Sequence, residues 1–154
     1  MLIALEPLKK IPGETLHYEL SADAEKLELT DDDVSTLEPL TVSFTAVYRD
    51  GKYFLTGSLR TRVALTCSRC LKPFTFSLVG ETDDEIPAED QKELDLTELV
   101  REMYYTSLPL KPLCDEDCRG LCADCGGNLN EKQCDCHVYK MDHRLSVLKK
   151  LLEE

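Results

Sequence analysis

The chain has 154 residues and a formal net charge of −12, and this length is typical of one ordinary domain. Its hydrophobic fraction of 42% can supply a core, but no stretch approaches the roughly 20 apolar residues that span a bilayer. Phosphate backbones repel so acidic a chain unless its basic residues are grouped. The overall charge therefore favours a basic protein partner over naked nucleic acid.

The first half of the chain predicts an antiparallel β-sheet. Strands are expected over Met1–Leu8, Thr15–Leu20, Leu40–Tyr48, Lys52–Thr66 and Pro73–Val79. The turn residues Ile11-Pro12-Gly13 separate the first two strands. Asp50-Gly51 is a strong signal for a tight hairpin turn between the third and fourth strands. Cys67 and Cys70 are then expected at the tip between the last two strands.

An acidic segment and a helix follow. From Glu81 to Glu102, ten acidic residues stand against two basic ones, and we expect a solvated loop followed by the outer face of a helix. Asp95 predicts an N-cap with Glu98 as its capping-box partner. Apolar residues recur at helical spacing behind it: Leu96, Leu99, Val100, Met103 and Tyr104. The helix is expected to end before Leu108-Pro109.

The last part of the chain is rich in cysteine and in turn residues, and a final amphipathic helix is expected from about Asp142. The predicted fold class is α+β: an antiparallel β-meander or barrel-like sheet with a central helix, a cysteine-rich zinc-binding segment and a C-terminal helix. We expect one domain, 1–154. Its expected parts are 1–80 mostly β, 81–108 acidic loop and helix, 109–137 zinc-binding segment and 138–154 C-terminal helix.

The eight cysteines fall into four close pairs, and they carry the strongest chemical signal in the chain. In chain order the pairs are Cys67/Cys70, Cys114/Cys118, Cys122/Cys125 and Cys134/Cys136. Two close thiolates can hold one tetrahedral metal ion, and two such pairs close a four-sulfur site, so we predict two structural zinc ions. A disulfide framework suits small secreted domains. Because Met1–Lys10 has no signal-peptide pattern, we expect a cytoplasmic protein with reduced thiols.

The spacing leaves two divisions of the thiols open. In one, the third and fourth pairs form a local site, and the first and second pairs join the sheet tip to the segment after the helix. In the other, the second and third pairs form the local site, and the first pair joins the fourth. Loop-closure entropy favours a local site without choosing between these options.

Catalysis has little support in the sequence. A catalytic zinc keeps one open position and usually has His or carboxylate ligands, whereas these sites are expected to be closed by four sulfurs. His17, His137 and His143 share no motif with a nucleophile, and there is no glycine-rich phosphate loop. We therefore expect a non-enzymatic protein without a small-molecule substrate, and a metalloenzyme is the distant alternative.

Basic residues are concentrated around the fourth predicted strand. Arg60 and Arg62 share one face of that strand and should point to solvent. Apolar residues on the other face should pack inward: Leu59, Val63 and Leu65. Arg69, between the first two cysteines, could extend the row of arginines at the sheet tip. In so acidic a chain, Arg60, Arg62 and Arg69 form the strip from which RNA or a partner could be contacted.

Four segments of the chain carry a family resemblance. They are Cys67-Ser-Arg-Cys70-Leu-Lys-Pro-Phe, Leu94-Asp-Leu-Thr-Glu-Leu-Val-Arg-Glu102, Ser107-Leu-Pro-Leu-Lys-Pro-Leu-Cys114 and Cys118-Arg-Gly-Leu-Cys-Ala-Asp-Cys-Gly-Gly-Asn-Leu-Asn130. Together they resemble the YceD family, the bacterial and plastid large-ribosomal-RNA-subunit accumulation proteins, over residues 60–152. The N-terminal third matches only in general character.

The resemblance implies a factor for the synthesis, processing or accumulation of large-subunit (23S) rRNA, without established enzymatic activity. Its partner would be a pre-ribosomal particle, rRNA or a basic ribosomal protein. Some family members keep metal-ligand residues matching the first two pairs and lack the later four cysteines, which favours the first division. Two hypotheses follow: an RNA-binding module using the arginine strip, or an acidic chaperone or adaptor using the Glu81–Glu102 surface. The charge fits the second better.

Overall fold

The computed structural model describes residues 1–11, 13–30, 34–88 and 93–136. The elements in chain order are β1 (Leu2–Ala4), α1 (Glu6–Lys10), β2 (Thr15–Ala22), β3 (Val34–Thr36), β4 (Leu40–Arg49), β5 (Lys52–Thr66), β6 (Pro73–Pro87), β7 (Glu93–Asp95) and α2 (Thr97–Ser107). The expected helix over 138–154 lies outside the described residues. None of the described helices is long and apolar enough to cross a membrane.

Strand β5 is the centre of a five-stranded antiparallel sheet. One of its edges pairs with β4 and then with β3, while the other edge pairs with β6 along its whole length. Strand β2 pairs with the far side of β4, and β1 and β7 form a separate two-stranded sheet. Among the described strands, β2 and β6 do not pair. The described strands therefore do not form a closed barrel, and the expectation of a barrel-like sheet is not confirmed.

The predicted hairpin of β4 and β5 is confirmed, and β5 spans the expected residues. Asp50 and Gly51 form its turn with φ angles of 52° and 79°. Both angles lie in the left-handed region that a two-residue type I′ turn requires. Cys67 and Cys70 lie in the connection between β5 and β6, as expected.

The first predicted strand is wrong over part of its length. Strand β1 ends at Ala4, and residues Glu6–Lys10 form the short helix α1. The reason is the spacing of Leu5 and Leu8, which are 0% and 1% exposed. Residues three apart share one face of a helix, whereas in a strand they would point to opposite faces. Pro7, at the start of α1, is also favourable for a helix.

The acidic segment is a strand for much of its length, rather than the loop expected over its first part. Strand β6 continues to Pro87 and pairs with the first half of β5. Exposed residues alternate with half-buried ones in this part of the strand: Glu81, Asp83 and Glu85 are exposed, and Thr82, Asp84 and Ile86 are half-buried. Such alternation is what a strand with one solvated face requires. Residues 89–92 lie outside the described part of the chain.

Helix α2 covers the inner face of the sheet, and the core lies between them. Its apolar face is largely as predicted, with Leu96, Val100, Met103 and Tyr104 buried and Leu99 half-buried. At Gly80 in β6, an added Cβ would lie 2.5 Å from Ser107 Oγ and 3.1 Å from the Met103 carbonyl oxygen. This glycine therefore permits the close approach of α2. Because α2 lies on one face of the sheet, the expected central helix of a barrel-like fold is not confirmed.

The start of α2 differs from the predicted capping box. Leu96 is the N-cap residue and makes no side-chain cap hydrogen bond. The Asp95 carboxylate instead accepts a hydrogen bond from the Thr97 backbone N–H at 3.0 Å. Glu98 forms an ion pair with Arg101 at 3.6 Å. The helix thus begins within one residue of the predicted position.

Candidate metal centres

The eight thiols gather into two groups of four. The first cluster contains Cys67, Cys70, Cys114 and Cys118, and the second cluster contains Cys122, Cys125, Cys134 and Cys136. Within each cluster the sulfur atoms all lie within 4.8 Å of one another. This arrangement matches the first of the two divisions that the spacing left open.

The connection between β5 and β6 supplies half of the first cluster. The Cys67 N–H donates to the Lys72 carbonyl at 2.9 Å, and the Leu71 N–H donates to the Cys67 carbonyl at 2.9 Å. Leu71 turns the chain back with a φ of 58°. The Ser68 N–H donates to the Pro112 carbonyl at 2.8 Å. This last bond draws the segment after α2 against the sheet tip, and so brings the second pair of thiols to the first.

The sulfur–sulfur distances in the first cluster fit a tetrahedral metal ion. The Sγ atoms of Cys67 and Cys118 are 3.8 Å apart, and those of Cys70 and Cys114 are 3.6 Å apart. Four thiolates at about 2.3 Å from a tetrahedral zinc ion lie about 3.8 Å from one another. A disulfide bond is much shorter, at about 2.05 Å, and all eight cysteines are free thiols. The donor set therefore fits a structural metal ion better than a cross-link.

Backbone N–H groups favour the thiolate form of one residue in the first cluster. Burial raises the pKa of Cys67, but hydrogen bonds from the backbone of Cys114, Cys70 and Arg69 outweigh burial and lower this pKa to about 6. Its neighbour responds in the opposite direction. Contact with the Cys70 thiol, together with burial, raises the pKa of Cys114 to about 12. Without a cation, Cys67 therefore ionises readily while Cys114 keeps its proton.

The second cluster shows the same pattern. Hydrogen bonds from the backbone of Cys125 and Asp124 lower the pKa of Cys122 to about 7. Contact with the Cys125 and Cys134 thiols raises the pKa of Cys136 to about 12. A divalent ion would offset the repulsion between thiolates and allow all four sulfurs to ionise.

The two clusters differ in their exposure. In the first cluster three residues are buried and Cys114 is exposed, whereas in the second only Cys122 is buried, Cys125 is exposed and the other two are half-buried. The first cluster lies between the sheet tip and the following segment, while the second is formed within residues 122–136 alone. Solvent and dissolved chelators consequently reach the second cluster more easily.

Arg69 is exposed at the sheet tip, but its guanidinium group is hydrogen-bonded to backbone carbonyl groups. Its Nη1 donates hydrogen bonds to the carbonyl oxygens of Cys118 at 2.8 Å and Glu116 at 3.2 Å. Its own carbonyl accepts the Leu121 N–H at 3.1 Å. Gly120, with a φ of 76°, lies so close that an added Cβ would be 3.0 Å from the Arg69 carbonyl oxygen. Arg69 thus joins the two halves of the first cluster.

The predicted alternation of side chains along β5 is confirmed. Three apolar residues are buried, namely Leu59, Val63 and Leu65. Arg60 and Arg62 are exposed on the opposite face. Arg62 forms an ion pair with Glu38, and the hydrogen bond from Arg62 lowers the pKa of that carboxyl group. Within the described ranges Arg60 forms no ion pair, and its cross-strand neighbours are Thr41 and Val79.

The predicted acidic surface is partly present on the outer face of β6. Glu81, Asp83 and Glu85 point to solvent there, and Glu85 forms an ion pair with Lys52 of β5. Asp84 lies on the opposite, half-buried face. The exposed row of Glu81 and Asp83 therefore carries uncompensated charge within the described part of the chain.

The histidines do not join the thiols within the described residues, where both clusters consist of cysteine alone. His17 lies in β2, with Nδ1 3.1 Å from the hydroxyl oxygen of Thr45. His137 and His143 lie outside the described residues. Sequence reasoning also missed Asn130, whose side-chain Nδ2 donates to Cys118 Sγ at 3.3 Å. An asparagine in a turn-rich segment gives no signal of such a contact.

Comparison with known proteins finds similarity to proteins that are named for the accumulation of large-subunit ribosomal RNA. The family model for the large ribosomal RNA subunit accumulation protein YceD matches residues 77–152. This range is narrower than the expected 60–152 and leaves out the first cysteine pair, Cys67/Cys70. It nevertheless contains the other six cysteines.

Curated relatives extend the similarity. The chloroplastic "Large ribosomal RNA subunit accumulation protein YCED homolog 1" of Arabidopsis thaliana is 28% identical, over 75% of this chain and 49% of its own length. The protein of the same name from Zea mays is 29% identical, over 64% of this chain and 48% of its own length. An uncharacterised protein of Mycobacterium tuberculosis is 28% identical, over 47% of this chain and 42% of its own length.

The chain thus spans about half the length of the curated relatives that it matches. No solved structure matches the chain significantly. The family model and the plant relatives carry the name of the family that the sequence motifs resemble. Residues 77–152 of this chain therefore match the YceD family of large ribosomal RNA subunit accumulation proteins, and the resemblance predicted from the sequence is confirmed.

Proposed function

We propose that this protein is a non-enzymatic, zinc-bearing factor that supports the accumulation of large-subunit rRNA during ribosome assembly, and that it acts in the cytoplasm. One observation carries the proposal. The region that matches the YceD family contains six of the eight cysteines, and the fold brings the remaining two, Cys67 and Cys70, to Cys114 and Cys118. The four sulfur atoms of the first cluster thereby join the region that matches the family to the N-terminal part of the sheet.

Zinc is the ion that this donor set fits best. Four thiolates in tetrahedral arrangement are typical of structural zinc, and they leave no open position for a substrate or a reactive water. Bound zinc would supply folding energy by holding the sulfurs of Cys67 and Cys70 to those of Cys114 and Cys118. A closed site of this kind supports a scaffolding role and gives no basis for a catalytic one.

Depletion of the protein tests the proposed function. We expect a lower ratio of large-subunit to small-subunit rRNA, restored by the wild-type chain. The Cys67→Ser/Cys70→Ser variant should fail to restore the ratio, whereas Lys10→Ala, a change at an exposed residue of α1, should restore it fully. An unchanged rRNA ratio after depletion would contradict the proposed function.

A basic ribosomal protein is the partner that the surface charge favours. The outer face of β6 presents Glu81 and Asp83 in a protein with a net charge of −12. Complementary charge of this kind steers association and makes it sensitive to salt. Recovery of the tagged protein from cells at low salt, with identification of bound protein and RNA, tests this assignment. Enrichment of rRNA without a basic protein would contradict it.

Direct contact with rRNA is the second candidate, and it centres on Arg60. Arg60 is exposed and forms no ion pair in the described ranges, whereas Arg62 on the same face forms an ion pair with Glu38. Arg69, by contrast, donates to backbone carbonyls inside the first cluster. Two of the three predicted arginines, Arg62 and Arg69, therefore already have hydrogen-bond partners within the protein, which weakens this candidate relative to the acidic surface.

A further inference from the structure

We propose that Asn130 is a positioning residue through which the second cluster secures the first, so that the two metal ions are lost in a fixed order. The inference rests on the proposed zinc occupancy of both clusters. Asn130 lies five residues after Cys125 and four before Cys134, within the loop that connects the halves of the second cluster. Its side chain nevertheless contacts Cys118 of the first cluster.

The orientation of the Asn130 amide is set by its neighbours. Its Oδ1 accepts the Arg119 backbone N–H at 2.7 Å. Because an N–H group can only donate, the oxygen must face Arg119, and the Nδ2 group is then directed to Cys118 Sγ at 3.3 Å and to Asn128 Oδ1 at 2.9 Å. The amide is therefore held as a hydrogen-bond donor to a cluster sulfur.

A donor at this position has a clear electrostatic effect. Four thiolates around one divalent zinc ion carry a net charge of −2, and hydrogen bonds to the sulfurs spread that charge. Outer partners of this kind orient metal ligands, and their removal typically lowers metal affinity by about 10-fold to 100-fold. Cys118 is buried and Asn130 is the side chain that donates to its sulfur. Asn130 is thus placed to stabilise the charged form of the first cluster.

The position of Asn130 depends on the second cluster. Residues 120–130 fold back on themselves, with the Leu129 N–H donating to the Gly120 carbonyl at 2.9 Å and the Cys122 N–H donating to the Gly127 carbonyl at 2.8 Å. A metal ion bound by Cys125 and Cys134 would hold the loop around Asn130 at both of its ends. Loss of that ion would leave the loop held by hydrogen bonds such as those to Arg119 and Gly120 alone, and would weaken the bond from Asn130 to Cys118.

A second contact also joins the loop of the second cluster to the region of the first cluster. Lys72, two residues after Cys70, forms an ion pair with Glu131, which follows Asn130 in the loop. Both side chains of the pair are more than half exposed, so the pair adds little by itself. It does show that residues Asn130 and Glu131 together face the first cluster. The loop that connects the two halves of the second cluster therefore packs against the first cluster.

The difference in exposure fixes the order of metal loss. Each cluster contains one exposed cysteine, Cys114 or Cys125, but the first cluster has three buried residues and the second only one. A chelator should remove the second ion first. The first ion should then leave from a cluster that has lost its support, which makes the release of the two ions sequential and coupled.

Zinc release from the full-length chain tests the proposal. The wild-type protein carrying two zinc ions is mixed with a chelating dye, and release should occur in a fast and a slow phase. The Cys122→Ser/Cys125→Ser variant should lack the fast phase, which assigns that phase to the second cluster. In the same variant the remaining ion should be released faster than in the slow phase of the wild type, because the Asn130 loop is no longer held.

Substitutions at Asn130 isolate the donor. Asn130→Ala should accelerate the slow phase by about 10-fold to 100-fold and leave the fast phase unchanged. Asn130→Asp keeps an acceptor for the Arg119 N–H but replaces the donor by a charged carboxylate oxygen, so it should accelerate the slow phase at least as much even if the alanine variant folds poorly. Gln133→Ala removes a nearby amide for which no contact with a cluster is seen in the described residues, and it should alter neither phase.

Three results would overturn the proposal. The first is an unchanged slow phase in both Asn130 variants, and the second is an equal acceleration of both phases. The third is a full effect of Asn130→Ala in the Cys122→Ser/Cys125→Ser background, where the loop should already be released. A protein that shows the expected kinetics while its depletion leaves rRNA normal would contradict the proposed function alone.

Discussion

Gly57 of β5 lies directly opposite Phe44 of β4, and the Phe44 ring occupies the space that a side chain on Gly57 would need. A Cβ at Gly57 would lie 2.4 Å from Cε1 and 2.7 Å from Cδ1 of the ring. Phe44 is 1% exposed and cannot move without disturbing the core. We expect Gly57→Ala to lower the free energy of unfolding by about 1–3 kcal/mol, measured by denaturant titration.

Thr56→Ala is the matched control for this prediction, because Thr56 is exposed on the opposite face of the same strand. It should leave the free energy of unfolding nearly unchanged. The double variant Phe44→Leu/Gly57→Ala should be less destabilised than the sum of the two single variants, since the smaller side chain removes the clash. Strict additivity would show that the ring is not the source of the strain.

The two clusters predict different consequences for cysteine replacement. Purified protein should contain close to two zinc ions and no iron–sulfur absorbance. Cys122→Ser/Cys125→Ser should lose one ion and keep the sheet folded, because the second cluster is formed within residues 122–136. Cys67→Ser/Cys70→Ser should destabilise the protein much more, since it separates the sheet tip from the segment after α2.

Metal analysis together with far-ultraviolet circular dichroism checks these expectations. Loss of both ions at equilibrium from the Cys122→Ser/Cys125→Ser variant, with zinc in excess, would contradict the independence of the first set of donors. A single zinc ion in the wild-type protein would contradict the assignment of two closed sites.

Association with a basic protein should depend on the outward acidic residues of β6. Replacing Glu81 and Asp83 by Gln and Asn should slow association more than it speeds dissociation, because long-range steering acts before contact. Added salt should have the same effect on the wild-type chain. Glu14→Gln/Glu25→Gln removes equal charge at other exposed positions and serves as the control. Association rates that ignore ionic strength would rule out this mechanism.

The arginine strip predicts a change that strengthens RNA binding as well as one that weakens it. If rRNA contacts this face, Arg60→Ala should reduce rRNA accumulation while zinc content and melting temperature stay nearly unchanged. Glu38→Gln should increase RNA affinity, because it frees Arg62 from its carboxylate partner. Binding assays with an rRNA fragment measure both effects. A stable Arg60→Ala variant with full function would contradict the hypothesis that rRNA contacts this face of β5.

The same ion pair gives a dependence on pH with a defined sign. The hydrogen bond from Arg62 lowers the pKa of Glu38 below its usual value of 4.5. The pair therefore contributes fully above that usual pKa and is lost as the pH falls through the lowered one. In Arg62→Ala the pKa of Glu38 should rise towards 4.5, which carboxyl-carbon NMR can follow. An unchanged Glu38 pKa would show that the pair does not persist in solution.

Local sequence signals were sufficient for the β4–β5 hairpin and the position of α2. Asp50-Gly51 tolerates the left-handed turn, and side-chain alternation along β5 is strict enough to set every buried residue. The same reasoning failed for β6, where charge density in residues 81–85 outweighed their alternation. It also failed for α1, because five residues are too few to show a helical period against a strand.

The grouping of the thiols could not be fixed by spacing alone. The two possible local sites close loops of eight and three residues, and because the entropic cost of closure grows only slowly with loop length, it does not choose between them. The arrangement depends instead on the contact of Ser68 with Pro112 and on the fit of Gly120 against Arg69. Both are contacts between segments far apart in the chain, and neither has a motif. The hydrogen bond from Asn130 to Cys118 escaped prediction for the same reason.

The separation of the first cluster along the chain bears on the order in which a newly made protein matures. Its sulfur contacts join residues 44 and 51 positions apart, from Cys70 to Cys114 and from Cys67 to Cys118. During synthesis β5 and β6 can therefore pair before the last two donors have been made, since domains fold from the N-terminus as they emerge. The ion of the first cluster can then bind only after Cys118 has been made, and its presence distinguishes a chain that includes Cys118 from a shorter one.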